Sequence, residues 1–94
     1  GYENHIVEEM EYKVGDKLGG FFGGKDIITP LFTARYADVS DIKIVNADAI
    51  PGMNLGADGV ASGTFNEAGD YTVTATATVE GWVYVQLTLT IHVK

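Results

Sequence analysis

Few residues in this 94-residue chain have types and spacings that could do chemistry. Gly19 to Lys25 matches Gly-x-x-x-x-Gly-Lys, the spacing of a phosphate-binding loop. Such a loop aims backbone amides at the start of a helix toward phosphate, with a Ser or Thr after the Lys to hold magnesium. Here Asp26 stands where the hydroxyl is needed, and Ile27-Ile28-Thr29-Pro30 does not read as a helix. The match is taken as chance. Ser62, His92 and an Asp could be assembled on paper into a nucleophilic triad, but geometry defines a triad and no spacing here supports one. His5 and His92 are the only histidines, and a zinc site built from them and carboxylates has no support in their spacing. Asp38, Asp41 and Asp48 offer calcium-type oxygen ligands. The Asp-x-Asp-x-Asp-Gly loop is missing, so solvated loop carboxylates are expected. No catalytic residue, cofactor or metal is assigned, and the chain is read as a non-enzyme.

Aromatic side chains offer the remaining chemistry. Trp82 and Tyr84 lie two positions apart on the polar side of a predicted strand, where rings could stack on sugars. A cross-strand pair that shields the sheet, or a contact with a neighbouring module, is the plainer role. Leu18 to Asp26 reads Leu-Gly-Gly-Phe-Phe-Gly-Gly-Lys-Asp. Phe21 and Phe22 could be presented to a partner by a mobile loop. The preferred expectation is that at least one of them plugs the core where a strand bends between sheets, since paired exposed Phe is rare on a soluble monomer.

The element that organises these residues is the last third of the chain. Tyr71, Val73, Ala75, Ala77 and Val79 alternate with Thr72, Thr74, Thr76 and Thr78. Side chains alternate across a strand, so this run has one apolar face and one hydroxyl face. After Glu80-Gly81, Val83, Val85, Leu87, Leu89, Ile91 and Val93 alternate with Trp82, Tyr84, Gln86, Thr88, Thr90 and His92. Two such runs across a short Gly-containing link predict an antiparallel hairpin. Its approach, Glu67-Ala68-Gly69-Asp70-Tyr71-Thr72-Val73, resembles the immunoglobulin pattern Asp-x-Gly-x-Tyr-x-Cys. In that pattern the Tyr hydroxyl bonds back to nearby backbone. Val73 stands at the Cys position, so Gly69, Tyr71 and Val73 are expected to keep the corner without a disulfide.

The preceding elements are shorter. Gly1 to Asn4 reads as a frayed end. Ile6 to Val14 predicts a strand with Ile6, Met10, Tyr12 and Val14 on one side together with Glu8; a helix is the rival. Ile27 to Tyr36 predicts a strand held to an edge by Pro30, with Phe32, Ala34 and Tyr36 facing inward. Ile42 to Val45, Met53 to Leu55 and Val60 to Phe65 complete the set, separated by turn-rich stretches. About seven short strands and no long helix predict one domain over residues 1–94, an all-β, antiparallel sandwich.

Composition limits the partners. The formal charge is −7, from thirteen acidic and six basic residues, and Lys94 is the only basic residue after Lys43. Nucleic acid and an anionic membrane surface both favour a basic face, and no apolar stretch is long enough to span a bilayer, so neither nucleic-acid binding nor direct membrane insertion is expected. The chain has no cysteine, hence no disulfide framework and no thiol chemistry.

A family resemblance runs from Ile50-Pro51-Gly52-Met53-Asn54-Leu55 through Asp58-Gly59-Val60-Ala61-Ser62-Gly63-Thr64-Phe65 to Ala68-Gly69-Asp70-Tyr71-Thr72-Val73-Thr74-Ala75. This resembles the immunoglobulin-like domains of bacterial surface proteins, which are related to cadherin-like modules. Ile50, Met53 and Phe65 depart from the family's Leu, Leu and Pro. The resemblance implies an immunoglobulin-like sandwich, extracellular or at the cell surface, cut from a longer exported protein. It further implies a spacer or adhesive role, with neighbouring domains as partners and a glycan or a host or cell-surface protein as candidate ligands. The alternative is a carbohydrate-binding or accessory module beside an extracellular enzyme.

Overall fold

The computed structural model describes residues 4–56 and 58–94, and of Phe22 only the backbone. The fold is mostly β, with two sheets. In chain order the elements are β1 (His5–Tyr12), β2 (Lys17–Leu18), a 3-10 turn (Gly20–Phe22), β3 (Lys25–Asp26), α1 (Thr29–Thr33), β4 (Val39–Ile44), β5 (Met53–Leu55), β6 (Val60–Thr64), β7 (Gly69–Val79) and β8 (Val83–Val93). The larger sheet has the order β1-β8-β7-β4. In the smaller sheet β6 is central and pairs with β2, β3 and β5.

The β7–β8 hairpin is the spine. Its register is unbroken from Gly69↔Val93 to Val79↔Val83. The turn places both Glu80 (φ 53°) and Gly81 (φ 81°) in the left-handed region, and the Trp82 N–H donates to the Val79 carbonyl. Turns of this hand match the twist of the strands they join. Val73, Ala75, Ala77 and Val79 on β7 are buried, as are Val85, Leu87, Leu89, Ile91 and Val93 on β8. Across the core they meet Met53, Leu55, Ala61 and Phe65 from the second layer, with Ile27, Ile28, Phe32 and Ile50 closing the space. At about 1.5–3 kcal/mol for each fully buried aliphatic or aromatic side chain, this one cluster supplies most of the folding drive.

β4 lies on the far side of β7 and carries a bulge between Ser40 and Lys43, with Asp41 at φ 52°. Asn46 then extends the edge with its side chain. Its Oδ1 accepts from Thr74 N–H and its Nδ2 donates to the Thr72 carbonyl, so an amide side chain stands in for the next peptide of the strand.

β1 departs from the antiparallel expectation. It pairs with β8 in parallel, from His5↔Gln86 to Tyr12↔Val93. Its alternation is as expected up to Tyr12, with Ile6 buried, Met10 and Tyr12 half-buried against the core, and Val7 exposed, but the strand ends there and Val14 is exposed instead of joining the inward side. The Tyr12 ring stacks on Phe65 with centroids 4.3 Å apart. Gly15 N–H then donates to the Phe65 carbonyl and Phe65 N–H to the Asp16 carbonyl, which passes the chain to the smaller sheet. The parallel direction follows from this crossing, because a parallel pair needs a long crossover and here the rest of the fold provides it.

β2 and β3 share one edge of β6. β5 covers Ala61 to Gly63 on one side, while Leu18 pairs with Gly63 and Lys25 with Ala61 on the other. Residues 19–24 are therefore looped out opposite the single residue Ser62. The loop can leave the sheet only because its neck is bare. A Cβ on Gly19, which sits at φ 87°, would lie 2.7 Å from the Ser62 Cβ.

The predicted strand Ile27 to Tyr36 is instead a coil leading into α1. Pro30 fits the first turn of a helix, where its missing N–H goes unmissed. Asp26 Oδ1 accepts from the N–H groups of Ile28 (3.1 Å) and Thr29 (3.0 Å), which satisfies the free donors at the helix start. Phe32 faces inward and is fully buried, while Ala34 is exposed. The inward Phe is common to both readings; the period that carries it is helical.

Candidate functional site

The outer face of the larger sheet holds most of the residues that could meet a partner. Four strands put Val7, Thr88, Thr74 and Val45 in one row across it, with Val7 and Val45 exposed at its two ends. The next row holds His5, Gln86, Thr76 and Lys43. His5 Nε2 lies 2.8 Å from Thr88 Oγ1. The middle of this face is threonine, whose branched side chains fit an exposed pleated surface. Thr76 is the most enclosed of them and is buried.

Trp82 and Tyr84 stand at the hairpin end of that face. Tyr84 lies opposite Thr78, and Trp82 belongs to the turn. Both are well exposed, at 77% and 65%. They do not form the shielding pair across strands that was the plainer expectation, since Tyr84 faces a threonine.

The glycine-rich loop is on the other sheet. Phe21 is entirely exposed (107%) on its 3-10 turn, so Phe21 itself plugs nothing in the core. The reason lies in the register, because β2 and β3 continue one edge of β6 and the chain never crosses between sheets at this point. The side chain of Phe22 lies outside the described residues. An open surface depression of about 350 Å³ beside the loop is lined by Lys17, Leu18, Gly19, Gly20, Phe21, Gly63 and Thr64.

The phosphate-loop spacing needs a correction in its local structure. A helix does follow, starting at Thr29. Its first amides are already taken by the Asp26 carboxylate, so they are not free to cradle phosphate. Ser62 and His92 lie on different sheets, which separates the members of the paper triad. Among the described residues no three His, Asp or Glu side chains are grouped to hold a metal ion, and no helix is long and apolar enough to cross a membrane.

At the opposite end of the outer face, His92 carries a cluster that inspection of spacing missed. Its Nδ1 lies 2.6 Å from Asp70 Oδ1 on β7, and its Nε2 lies 3.5 Å from Glu9 Oε1 on β1. Asp70 is directly opposite His92 in the hairpin register, so counting back from Glu80-Gly81 would have found that contact. The hydrogen bond that His92 donates to Asp70 raises the His92 pKa above 6.5, partial burial opposes it, and Glu9 adds to the rise. A neutral imidazole with one ring nitrogen facing each carboxylate has only one donor, and the imidazolium has two.

The corner of the hairpin is built from Gly69, Tyr71 and Val73. Tyr71 Oη donates to the Glu67 carbonyl at 2.8 Å, with the Ala68 carbonyl 3.4 Å away. Burial and the neighbouring Glu67 raise its pKa, which keeps the hydroxyl a donor. A Cβ on Gly69 would lie 3.0 Å from this hydroxyl, so the bare glycine lets the ring fold back over the backbone. Val73 is fully buried.

Compared with known proteins, the chain matches no protein-family model, and no curated protein is significantly similar to it.

Proposed function

We propose that the chain is an immunoglobulin-like module of an exported bacterial protein, serving as a non-catalytic spacer or adhesive unit. The strand order supports the fold half of this reading. In this reading β4, β7 and β8 take the roles of strands C, F and G of one immunoglobulin sheet, and β2, β6 and β5 those of B, E and D of the other. Taking β2 and β3 as one interrupted strand gives seven strands in all. The tyrosine corner sits where such a fold has it, at the start of the strand in position F.

The observation that carries the spacer role is the direction of β1. Gln86 N–H donates to the Asn4 carbonyl near the hairpin turn, and Lys94 N–H donates to the Tyr12 carbonyl at the far end. A chain that passes through this module therefore enters and leaves at opposite ends of a body 40 Å long. Tension between those ends pulls β1 and β8 past each other, loading all the hydrogen bonds of the parallel ladder together. Pulling tandem copies through their ends in a single-molecule force experiment tests this. Abrupt unfolding events are the expected result; gradual extension with no resolved events would sink the spacer role.

A second reading, a carbohydrate-binding module, is favoured by the exposure of Trp82 and Tyr84 on one end of the outer face. A glycan array with the wild type and Trp82→Ala tests it. Signal lost in the variant supports sugar stacking, and no signal from either protein removes the reading.

A further inference from the structure

We propose that His92 is a pH-sensitive latch that ties the edge strand β1 to the β7–β8 hairpin, closed when the imidazole carries its second proton. The geometry spans three strands: Asp70 on β7 faces Nδ1, His92 projects from β8, and Glu9 on β1 faces Nε2. Only the imidazolium can donate to both carboxylates at once. The two acids sit on opposite sides of the ring, so they do not converge as cation ligands and leave no free ring nitrogen for base catalysis.

The charged groups around the ring come from every strand packed against it. β1 contributes Glu9 and also Glu11, which pairs directly with His92 in the register. β7 contributes Asp70. The chain just after β8 contributes Lys94, whose Nζ lies 3.2 Å from Glu11. With the second proton lost, three carboxylates face a neutral ring and one lysine. Two of those carboxylates are on β1, whose ladder runs along β8 alone. The consequence falls on β1 rather than on the core.

The direction with pH is set. The Asp70 hydrogen bond raises the folded-state pKa above the ordinary 6.5. The added stability is therefore complete below 6.5 and fades as pH rises through the folded value. Asp70 and Glu9 are 76% and 70% exposed, so solvent and salt screen the latch and its effect is local. The inference goes beyond the functional reading and stands on this geometry whichever role the module plays.

Amide hydrogen exchange, corrected to protection factors and compared at about pH 5 and about pH 8, tests it. In the wild type, protection of the β1 amides should fall several-fold at the higher pH while the β4–β7 amides change little. In His92→Gln, which keeps a donor but does not titrate, the fall should vanish. Glu9→Gln supplies a second test that leaves the His92–Asp70 pair intact, and it too should abolish the fall. Equal pH dependence in the wild type and Glu9→Gln, or none in the wild type, overturns the latch.

Discussion

The β7–β8 hairpin and the stretch from Gly19 to Tyr36 both send side chains into the core, the hairpin many more of them, and they do so by opposite means. The hairpin does it locally. Eleven register pairs run from Gly69↔Val93 to Val79↔Val83, and each inward residue is placed by strict alternation. The Gly19–Tyr36 stretch has a 3-10 turn, the two-residue strand β3 and the five-residue helix α1, all short, yet Ile27, Ile28 and Phe32 are buried within it. Its residues are placed by distant partners: β6 holds β3, and the buried cluster holds Phe32. Alternation is thus one way of directing side chains inward, and a short non-periodic segment pinned at both ends is another.

The hairpin is expected to tolerate disruption least. Val73→Asp would bury an unpaired carboxylate at a fully buried position. Its cost of several kcal/mol is comparable with the whole stability of a small domain, about 5–15 kcal/mol. The variant should show no cooperative thermal transition. A cooperatively folded Val73→Asp would mean that β7 faces the other way.

Phe32→Ala asks whether the irregular stretch matters as much. A fully buried Phe removed from a packed core costs about 3–5 kcal/mol. Urea denaturation should show a midpoint far below that of the wild type with the slope retained. A loss under about 1 kcal/mol would make α1 an ornament on a core that the hairpin alone sustains.

Tyr71→Phe removes one hydroxyl and its bond to the Glu67 carbonyl. About 1 kcal/mol should be lost. An unchanged denaturation midpoint would deny the corner its role in fixing the hairpin's approach. The smallest effect is expected in the looped-out segment. Phe21→Ser removes an aromatic ring that touches solvent on every side, and stability should stay within about 0.5 kcal/mol. A clear loss would place Phe21 in contact with the fold.

What the sequence made legible follows the same division. The hairpin strands, their facing and the Tyr71 bond could be read because the information is local: alternation, a turn, and a glycine two residues before a tyrosine. α1 could not be read from alternation, although Asp26 ahead of Pro30 was the available sign of a helix start. The direction of β1 was not legible either, since Ile6, Met10 and Tyr12 face the core whichever way the strand runs. The site divides likewise. Asp70 follows from the hairpin register, whereas Glu9 reaches His92 only through the parallel pairing of β1. At least one of Phe21 and Phe22 was expected inside on general burial preference; the in-register continuity of β2 and β3 keeps Phe21 outside, and the Phe22 side chain lies outside the described residues.

Parallel pairing of β1 with β8 sends the chain in at one end of the module and out at the other. Because the chain has no cysteine, spin labels on Asn4→Cys and Lys94→Cys report that separation without interference. Asn4 lies beside Gln86 and Lys94 beside Tyr12, about nine residues apart along the strand direction. At about 3.3 Å per residue the backbone separation is roughly 30 Å. A pulsed electron–electron double resonance distance distribution centred near that value is the predicted result; strong dipolar broadening from labels about 10 Å apart, as an antiparallel β1 would give, contradicts it.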